Sequence, residues 1–489
     1  MPRWATGIPG LDDVLMGGLP AERMYLVHGL PGSGKTTLAL QFLLEGVRLG
    51  ERVLYISLSE TEAEIRQFAR SHGWDLDGVT IYELANAESL LDRNDNTLYA
   101  TEDVELRETI GVMLAEVERL RPSRVVFDSL SEIRLLSQTG NLYRREILAL
   151  KRFFAGRHCT VLLLDDRSGL DVDAQVESIV HGVVALEHTP RPYGGDRRRL
   201  RIVKLRGATF RSGFHDIVIE HRGLVIFPRL VAREHRRSVG SEALSSDISE
   251  LDLMLGGGVD RSTSTLVIGP AGSGKSAIAA QFASAAASRG EHAAIFLFEE
   301  RLRTLLARST QLGLPLEAQL DAGTLDVRQV DPAELAPDEL AHLVRQTVET
   351  KGTKLVVIDG INGYFAAMPE ERFMTLHMHE LLGFLAERGV ATIMTMAQAG
   401  VGAATSPIDV SYLSDSIVLL RHFESGGRVR KAVSVLKKRS GWHEDTVREL
   451  SLERTGIRVG DPLSRMRGVL TGVPSLDGSA EKDPERALQ

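Results

Sequence analysis

The sequence is poor in cysteine, in aromatic residues and in long apolar runs. Its 489 residues include one cysteine, Cys159, and aromatic side chains make up 5% of the chain. A single thiol excludes an internal disulfide or a cysteine-based zinc site, and we expect it to be a buried structural thiol in a reducing compartment. No apolar run approaches the roughly 18–20 residues of a membrane span, and the N-terminus has no signal-peptide core. We therefore expect a cytoplasmic protein with no membrane partner.

Positive charge is also in short supply. Lys and Arg number 58 against 66 Asp and Glu, which gives a formal net charge of −8 at pH 7. Proteins built for non-specific binding to nucleic acid carry an excess of positive charge, so this balance argues against a nucleic-acid partner. The basic runs 191–201 and 234–238 are the places where a local groove would lie. The length exceeds what one hydrophobic core supports, which indicates two or three domains.

A long internal repeat gives the chain its organisation. Residues 7–42 and 247–282 align without a gap and share a Leu-Asp pair, a Gly-Gly pair and a Gln-Phe pair. A period this long indicates duplicated domains, because solenoid units are about 20–50 residues. Within each copy short apolar strands alternate with helical segments, which predicts a mostly parallel sheet covered by helices.

Each copy contains a phosphate-binding loop between a strand and a helix: "GLPGSGKT" at 29–36 and "GPAGSGKS" at 269–276. The glycines let backbone N–H groups point at phosphates, and the helix adds its positive N-terminal end. Lys35 and Lys275 should reach the β- and γ-phosphates of ATP, and the residue after each lysine should offer a hydroxyl to Mg²⁺. The predicted ATP-binding residues are Gly29, Gly32, Ser33, Gly34, Lys35, Thr36 and Thr37 in the first copy, and Gly269, Gly272, Ser273, Gly274, Lys275 and Ser276 in the second.

A carboxylate ends a buried strand in each copy. Asp128 ends "RVVFD" and Asp359 ends "LVVID". At the carboxyl edge of the sheet each is placed to hold Mg²⁺ with Thr36 or Ser276, although an aspartate that caps a strand-to-helix turn is the alternative. The patterns together predict an α/β fold of two tandem RecA-like P-loop NTPase domains, each a mostly parallel sheet flanked by helices. We place them at 1–235 and 236–474, with a polar tail at 475–489.

The copies differ after the next strand. "SLSE" in the first copy aligns with "LFEE" in the second, so that Ser59-Glu60 stands opposite Glu299-Glu300. A carboxylate beside the γ-phosphate can orient and deprotonate a nucleophile, whereas a serine cannot. Glu60, Glu299 and Glu300 are therefore candidate catalytic residues. A solvated acidic turn is the alternative interpretation.

Two basic pairs complete the candidate set. "VKLRG" contains Lys204 and Arg206, and "VLKKRS" contains Lys437 and Arg439. Residues two apart on a strand point to the same face, so each pair should project together. Such a pair could stabilise charge on a phosphoryl group held by a neighbouring subunit. A solvated strand edge that discourages aggregation is the alternative.

These joined motifs resemble the KaiC family of double-domain clock-associated ATPases, over about residues 5–470. The likeness rests on "GLDDVLMGGLP" before the first loop, "ETEAEIRQFARSHGWDLD" (60–77), "VKLRG" and "VLKKRSGWHEDTVRE" (435–449). The resemblance implies a homohexamer of two stacked rings with ATP and Mg²⁺ between subunits, and basic pairs that act on a neighbour's γ-phosphate. It also implies a catalytic base at the first glutamate of the pair, ATP hydrolysis in the first domain and self-phosphorylation in the second. A signalling protein is the partner class it suggests.

The chain departs from the family pattern at two places. Ser59 replaces the first glutamate in copy one, which favours a slow or structural site there. The family's adjacent Ser and Thr phosphorylation sites fall on Ser411 and Tyr412, which predicts a one-site serine autokinase, with Ser406 a further candidate. Ordinary capping and turn chemistry is the alternative for these serines. Two other functions stay open: an ATP-gated scaffold without kinase activity, and a RecA-type DNA-dependent ATPase.

Overall fold

The structure is a computed structural model that describes residues 2–84, 102–137, 139–166, 176–191, 194–232, 242–366, 371–398, 411–470 and 475–476. The chain divides into two compact units, Met1–Arg229 and Leu230–Gln489. Each helix within the described ranges is too short or too polar to cross a bilayer.

Within the described residues, the first unit has eleven strands, nine of which form its main sheet. Its strands are β1 (Arg3–Trp4), β2 (Leu19–Pro20), β3 (Met24–Gly29), β4 (Val53–Ser57), β5 (Val79–Glu83), β6 (Arg124–Asp128), β7 (Thr160–Asp166), β8 (Gly182–Thr189), β9 (Arg197–Leu205), β10 (His215–Glu220) and β11 (Gly223–Phe227). Its helices are α1 (Leu11–Val14), α2 (Lys35–Arg48), α3 (Glu62–Ser71), α4 (Glu102–Leu120), α5 (Leu130–Ser137) and α6 (Gly140–Phe154). The main sheet runs β11-β10-β9-β8-β3-β7-β6-β4-β5, while β1 and β2 pair separately. The strands from β8 to β5 are parallel, and β9, β10 and β11 extend the sheet antiparallel.

The second unit repeats this topology. Its strands are β12 (Ala243–Leu244), β13 (Val259–Asp260), β14 (Ser264–Gly269), β15 (Ala293–Leu297), β16 (Leu325–Gln329), β17 (Leu355–Asp359), β18 (Ala391–Ala397), β19 (Ser416–Ser425), β20 (Arg428–Lys438), β21 (Arg448–Glu453), β22 (Gly456–Pro462), β23 (Met466–Arg467) and β24 (Ser475–Leu476). Its helices are α7 (Ser249–Met254), α8 (Lys275–Ser288), α9 (Leu302–Gln311), α10 (Leu316–Asp321), α11 (Pro337–Lys351), α12 (Ile361–Ala366) and α13 (Glu371–Glu387). The main sheet runs β22-β21-β20-β19-β14-β18-β17-β15-β16, which is the order of the first unit strand for strand. The predicted fold class is confirmed: two tandem, mostly parallel sheets flanked by helices.

The parallel strands are buried on both faces. All six residues of β3 and all five of β17 are buried, and separate apolar clusters pack against the two sides of each sheet. Double coverage explains why these strands read as continuous apolar runs and not as an alternating pattern. Cys159 lies in one of these clusters as a free, buried thiol, and burial raises its pKa to about 12. The expectation of a structural cysteine is confirmed.

Candidate nucleotide sites

Each loop joins the central strand of its sheet to a long helix. β3 leads into α2 through Gly34, at φ 102°, and β14 leads into α8 through Gly274, at φ 108°. Residues that carry a side chain rarely adopt this left-handed backbone conformation, so glycine is favoured where the helix begins. A Cβ on Gly29 would also lie 2.4 Å from the carbonyl oxygen of Leu186. The glycines therefore let the loop bend tightly and leave the first N–H groups of the helix available to an anion.

The two loop lysines fold back over their own loops. Lys35 Nζ donates to the carbonyls of Gly29 (3.0 Å) and Leu30 (3.1 Å), and Lys275 Nζ donates to that of Pro270 (2.9 Å). Burial lowers the pKa of Lys275, and the nearby negative charges of Asp359 and Glu299 oppose that shift. Each ammonium is held at the phosphate-binding loop itself.

In both units the structure brings the predicted metal-binding hydroxyl and carboxylate together. Thr36 Oγ1 donates to Asp128 Oδ2 at 3.1 Å, and Ser276 Oγ donates to Asp359 Oδ1 at 2.9 Å. Hydroxyl and carboxylate oxygens are the ligands that Mg²⁺ prefers. Burial raises the pKa of the Asp128 carboxyl, and the hydrogen bond from Thr36 counteracts that shift.

A second hydroxyl holds each aspartate, and sequence reasoning missed both. Tyr55, on β4, donates to Asp128, whereas Thr395, on β18, donates to Asp359. The donors come from different strands in the two units. The available signal was a polar hydroxyl inside each otherwise apolar strand, but the contact joins residues that are far apart in sequence.

The loop serines test whether phosphate fits these sites. Ser33 Oγ and Ser273 Oγ are buried, and neither has a hydrogen-bond partner within the described part of the chain. A buried hydroxyl without a partner costs about 1–3 kcal/mol, and the same cost recurs at the same position of both loops. A phosphate oxygen in the loop would satisfy each hydroxyl. The residues present therefore fit ATP with Mg²⁺.

The acidic residues after β4 and β15 take different positions. A Cβ on Gly360, the residue after Asp359, would lie 2.8 Å from Cγ of Glu299, so the Glu299 side chain lies against this strand end. Glu300 points elsewhere, because its Oε1 accepts a hydrogen bond from Arg308 Nη1 at 2.6 Å. Of the two candidate glutamates, the structure brings Glu299 to the loop and pairs Glu300 with helix α9.

The first unit has no arginine at the position of Arg308, where α3 has Phe68 instead. Partial burial raises the pKa of Glu60, and the neighbouring charge of Asp128 raises it further. Glu60 is thus close enough to Asp128 for the two carboxylates to interact. Each unit places one glutamate near its strand-end aspartate, but from positions that differ by one residue.

The basic pairs lie at the opposite edge of each sheet from the loops. Lys204 Nζ and Arg206 Nη2 both donate to the carbonyl of Ser178, near the start of β8. Lys437 Nζ donates to the carbonyl of Ser414 (2.6 Å), and Arg439 Nη2 donates to that of Tyr412 (3.3 Å). The parallel strands between edge and loop are six residues long in β3 and β14, a span of roughly 17–20 Å. The second residue of each pair, Arg206 or Arg439, lies one position past the end of its strand. The structure does not bring either pair to the loop of its own unit.

Comparison with known proteins places this geometry in a family. The family model "ATPase: KaiC" matches residues 4–231 and 244–464. The chain belongs to the KaiC family. It is 27% identical to circadian clock protein KaiC3 of Synechocystis sp., over 97% of this chain and 95% of that protein. It is also 27% identical to circadian clock oscillator protein KaiC of Synechococcus elongatus, over 96% of this chain and 91% of that protein. The resemblance seen in the sequence is confirmed, and the chain is a two-domain KaiC-family ATPase.

In the first KaiC-type domain, further basic residues lie beside the Lys204–Arg206 pair. Arg23, Lys151 and His181 line a cavity beside Lys204 and Arg206. Burial and the neighbouring cations lower the pKa of His181 to about 4, and burial lowers the pKa of Lys151. Sequence reasoning missed these residues because they come from three separate segments of the chain.

Part of the basic run 191–201 serves the fold of this KaiC-type domain. Arg197 pairs with Asp216 (3.3 Å) and Arg199 with Glu187 (3.1 Å), while Arg198 Nε donates to the carbonyl of Gly32 (3.1 Å) in the loop. These three arginines act within the domain. The other run, 234–238, lies outside the described residues.

The serine predicted to be phosphorylated begins a short turn before β19. Ser411 is the first residue of a 3₁₀ turn, Ser411–Leu413, and the next residue, Tyr412, is 52% exposed. The side chain of Ser411, all of Ser406 and residues 477–489 of the predicted tail lie outside the described part of the chain.

Proposed function

We propose that this KaiC-family ATPase binds ATP and Mg²⁺ at both loops and transfers phosphate to Ser411 of its second domain. It would act in signalling or clock-like regulation through domains at 1–235 and 236–474. The observation that carries the proposal is the position of Glu299, which lies against Gly360 beside Asp359 and close to Lys275. That arrangement supplies a carboxylate base, a metal ligand and a phosphate-binding cation at one edge of one sheet.

The chemistry follows from these positions. Lys275 would bind the β- and γ-phosphates, and Ser276 and Asp359 would hold Mg²⁺. When bound, the metal neutralises charge that develops on the phosphoryl group. Glu299 accepts the proton of the attacking hydroxyl, from water in hydrolysis or from serine in self-phosphorylation, as the new O–P bond forms and the bond to the ADP oxygen breaks.

Phosphate transfer to Ser411 requires a second copy of the chain. Ser411 and the Lys437–Arg439 pair share the edge of the sheet where β14 begins, whereas Lys275 lies where it ends. The length of β14, roughly 17–20 Å, separates the proposed acceptor from the proposed donor within one chain. A ring in which each subunit presents this edge to its neighbour's loop removes that gap. We propose that this ring is the homohexamer with two stacked rings that the resemblance to the KaiC family implies.

The first domain is proposed to be a slow ATPase. Ser59 stands where the second domain has Glu299, and Glu60 is the carboxylate that remains near Asp128. A nucleotide-gated assembly role without turnover is the second candidate for this domain, because a serine cannot act as the base.

The proposal is tested with γ-labelled ATP and Mg²⁺, following label on the protein and free phosphate together. Wild type should release phosphate and become labelled, whereas Ser411→Ala should release phosphate without label. Lys275→Ala should not become labelled. Lys35→Ala should still become labelled in part, in the oligomers that this variant forms. Light scattering on the same samples reports the hexamer. Hydrolysis by wild type without any labelling would contradict the autokinase proposal and leave a ring ATPase.

The pH profile of the first domain should report Glu60. Because the pKa of Glu60 is raised in the folded protein, its carboxyl is protonated at a higher pH than an ordinary glutamate, and protonation removes the base. In a Lys275→Ala background, hydrolysis should fall on the acid side at a pH above the usual glutamate range. Glu60→Gln should lower the rate and remove that acid limb. An unchanged limb in Glu60→Gln would assign it to another group.

A further inference from the structure

The lysine of the first loop already forms an ion pair with a carboxylate of its own domain. Asp166 is the last residue of β7 and lies opposite Gly29, the last residue of β3, in the parallel register. Its Oδ1 lies 2.8 Å from Lys35 Nζ. The Lys35 side chain is 10% exposed and that of Asp166 is 46% exposed. The ion pair therefore lies at the mouth of the loop, with its cation buried and its anion open to solvent.

At the second loop, no carboxylate within the described ranges forms an ion pair with the lysine. In the same register Gly269 lies opposite Ala397, which ends β18 as Asp166 ends β7. Among the residues that the structure describes, Lys275 Nζ donates only to the carbonyl of Pro270. The two units thus share a loop, a strand order and a register, and differ in whether the lysine is already paired with an anion.

We infer that Asp166 is a positioning residue that competes with nucleotide phosphate for Lys35 and makes the first site the weaker nucleotide binder. The inference rests on the proposed function, because it requires that the first loop binds ATP. Lys35 must leave Asp166 before it can reach the β- and γ-phosphates, and the released carboxylate then stays close to the phosphate charge. Both effects oppose binding. The first has no counterpart at Lys275, because within the described residues Asp359 and Glu299 lie near that ammonium without forming an ion pair with it.

A second observation points the same way. Asp166 also lies close enough to Asp128, the proposed metal ligand, for the two negative charges to interact. When nucleotide binds, three anionic groups (Asp128, Asp166 and the phosphates) would share the charge of Lys35 at one strand edge. Binding at the first site should therefore depend on Mg²⁺, since the cation offsets this repulsion.

The test measures equilibrium binding of a fluorescent ATP analogue with Mg²⁺, one site at a time. In a Lys275→Ala background, Asp166→Asn should tighten binding at the first site by about two- to fivefold, a range set by the partly exposed ion pair. Asp166→Glu keeps the charge and should bind like its parent. The gain from Asp166→Asn should shrink at high salt, which screens the pair. A purely structural effect of the substitution would not follow salt.

The reciprocal variant provides a test in the other unit. In a Lys35→Ala background, Ala397→Asp should weaken binding at the second site by a similar factor, whereas Ala397→Asn should change it by less than twofold. If the Lys275→Ala parent binds no analogue, the proposed nucleotide site fails, and with it the ground for the inference. If the parent binds but Asp166→Asn and Ala397→Asp both leave affinity unchanged, the competition between Asp166 and phosphate is overturned while the site stands.

Discussion

Replacing Glu299 with glutamine should lower phosphoryl transfer and hydrolysis in the second domain by about 10²–10⁴-fold, the usual contribution of a positioned general base. The amide keeps the size of the side chain and its contact with Gly360 but cannot accept a proton. Nucleotide affinity should change little, because Lys275, Ser276 and the loop backbone are retained. The measurement is single-turnover release and protein labelling from γ-labelled ATP in a Lys35→Ala background, with analogue binding followed in parallel.

Glu300→Gln is the matched control for this prediction. Glu300 accepts a hydrogen bond from Arg308 and does not lie against Gly360, so its charge serves the packing of α9. We expect its replacement to lower the rate by less than tenfold and to reduce thermal stability slightly. If Glu300→Gln proved as damaging as Glu299→Gln, the assignment of one base to this pair would be wrong. If neither affected the rate, water or substrate itself would have to supply the base.

The strand pattern and the two loops could be predicted from sequence because their causes are local. Continuous apolar runs, the loop glycines and the aspartates at strand ends each reflect a constraint within a few residues. The sequence patterns do not predict the antiparallel extension of each sheet by β9–β11 and β20–β22, although they do predict strands at the basic pairs. The edge on which those pairs lie depends on strand direction, which periodicity does not report.

The contacts that distinguish the two sites are long-range, and sequence reasoning missed them for that reason. Asp166 reaches Lys35, and Tyr55 reaches Asp128, only because the sheet order places their strands side by side. The comparison of Ser59 with Glu299 was visible because the repeat aligns there without a gap. Farther along the chain, the two copies differ in length between motifs. The equivalence of Asp166 and Ala397 could therefore be recognised only from the strand register in the structure.

These differences show how one duplicated fold can support two kinds of site. The loops, the strand order and the hydroxyl–carboxylate pairs are common to both units, so both retain the means to bind nucleotide. The residues that differ are those that would set the rate, at Ser59 and Glu299, and those that would set occupancy, at Asp166 and Ala397. The differences at these four residues thus lie around the proposed γ-phosphate position, while the strand order that holds it is the same in both units.

The framework itself has diverged at one buried position, Arg124, and we expect Arg124→Leu to cost the first unit about 3–5 kcal/mol. The guanidinium is fully buried at the start of β6, where the second unit has Leu355 at the start of β17. It donates to the carboxylate of Glu51 (2.6 Å) and to the carbonyls of Ala5 (2.8 Å) and Phe42 (2.9 Å). Leucine of similar bulk would leave all three acceptors without this donor.

Hydrogen exchange resolved by peptide is the measurement that separates the two units. Protection should fall in strands of the first unit, while β14–β18 of the second serve as an internal reference. Arg48→Leu is the matched control, since its pair with Glu45 at 2.6 Å has an arginine side chain 68% exposed and should contribute little to stability. Arg124→Leu combined with Glu51→Leu should recover part of the loss, because the second change removes the stranded carboxylate. Equal loss of protection in both units, or no recovery in the double variant, would mean that Arg124 stabilises the chain by a route other than these acceptors.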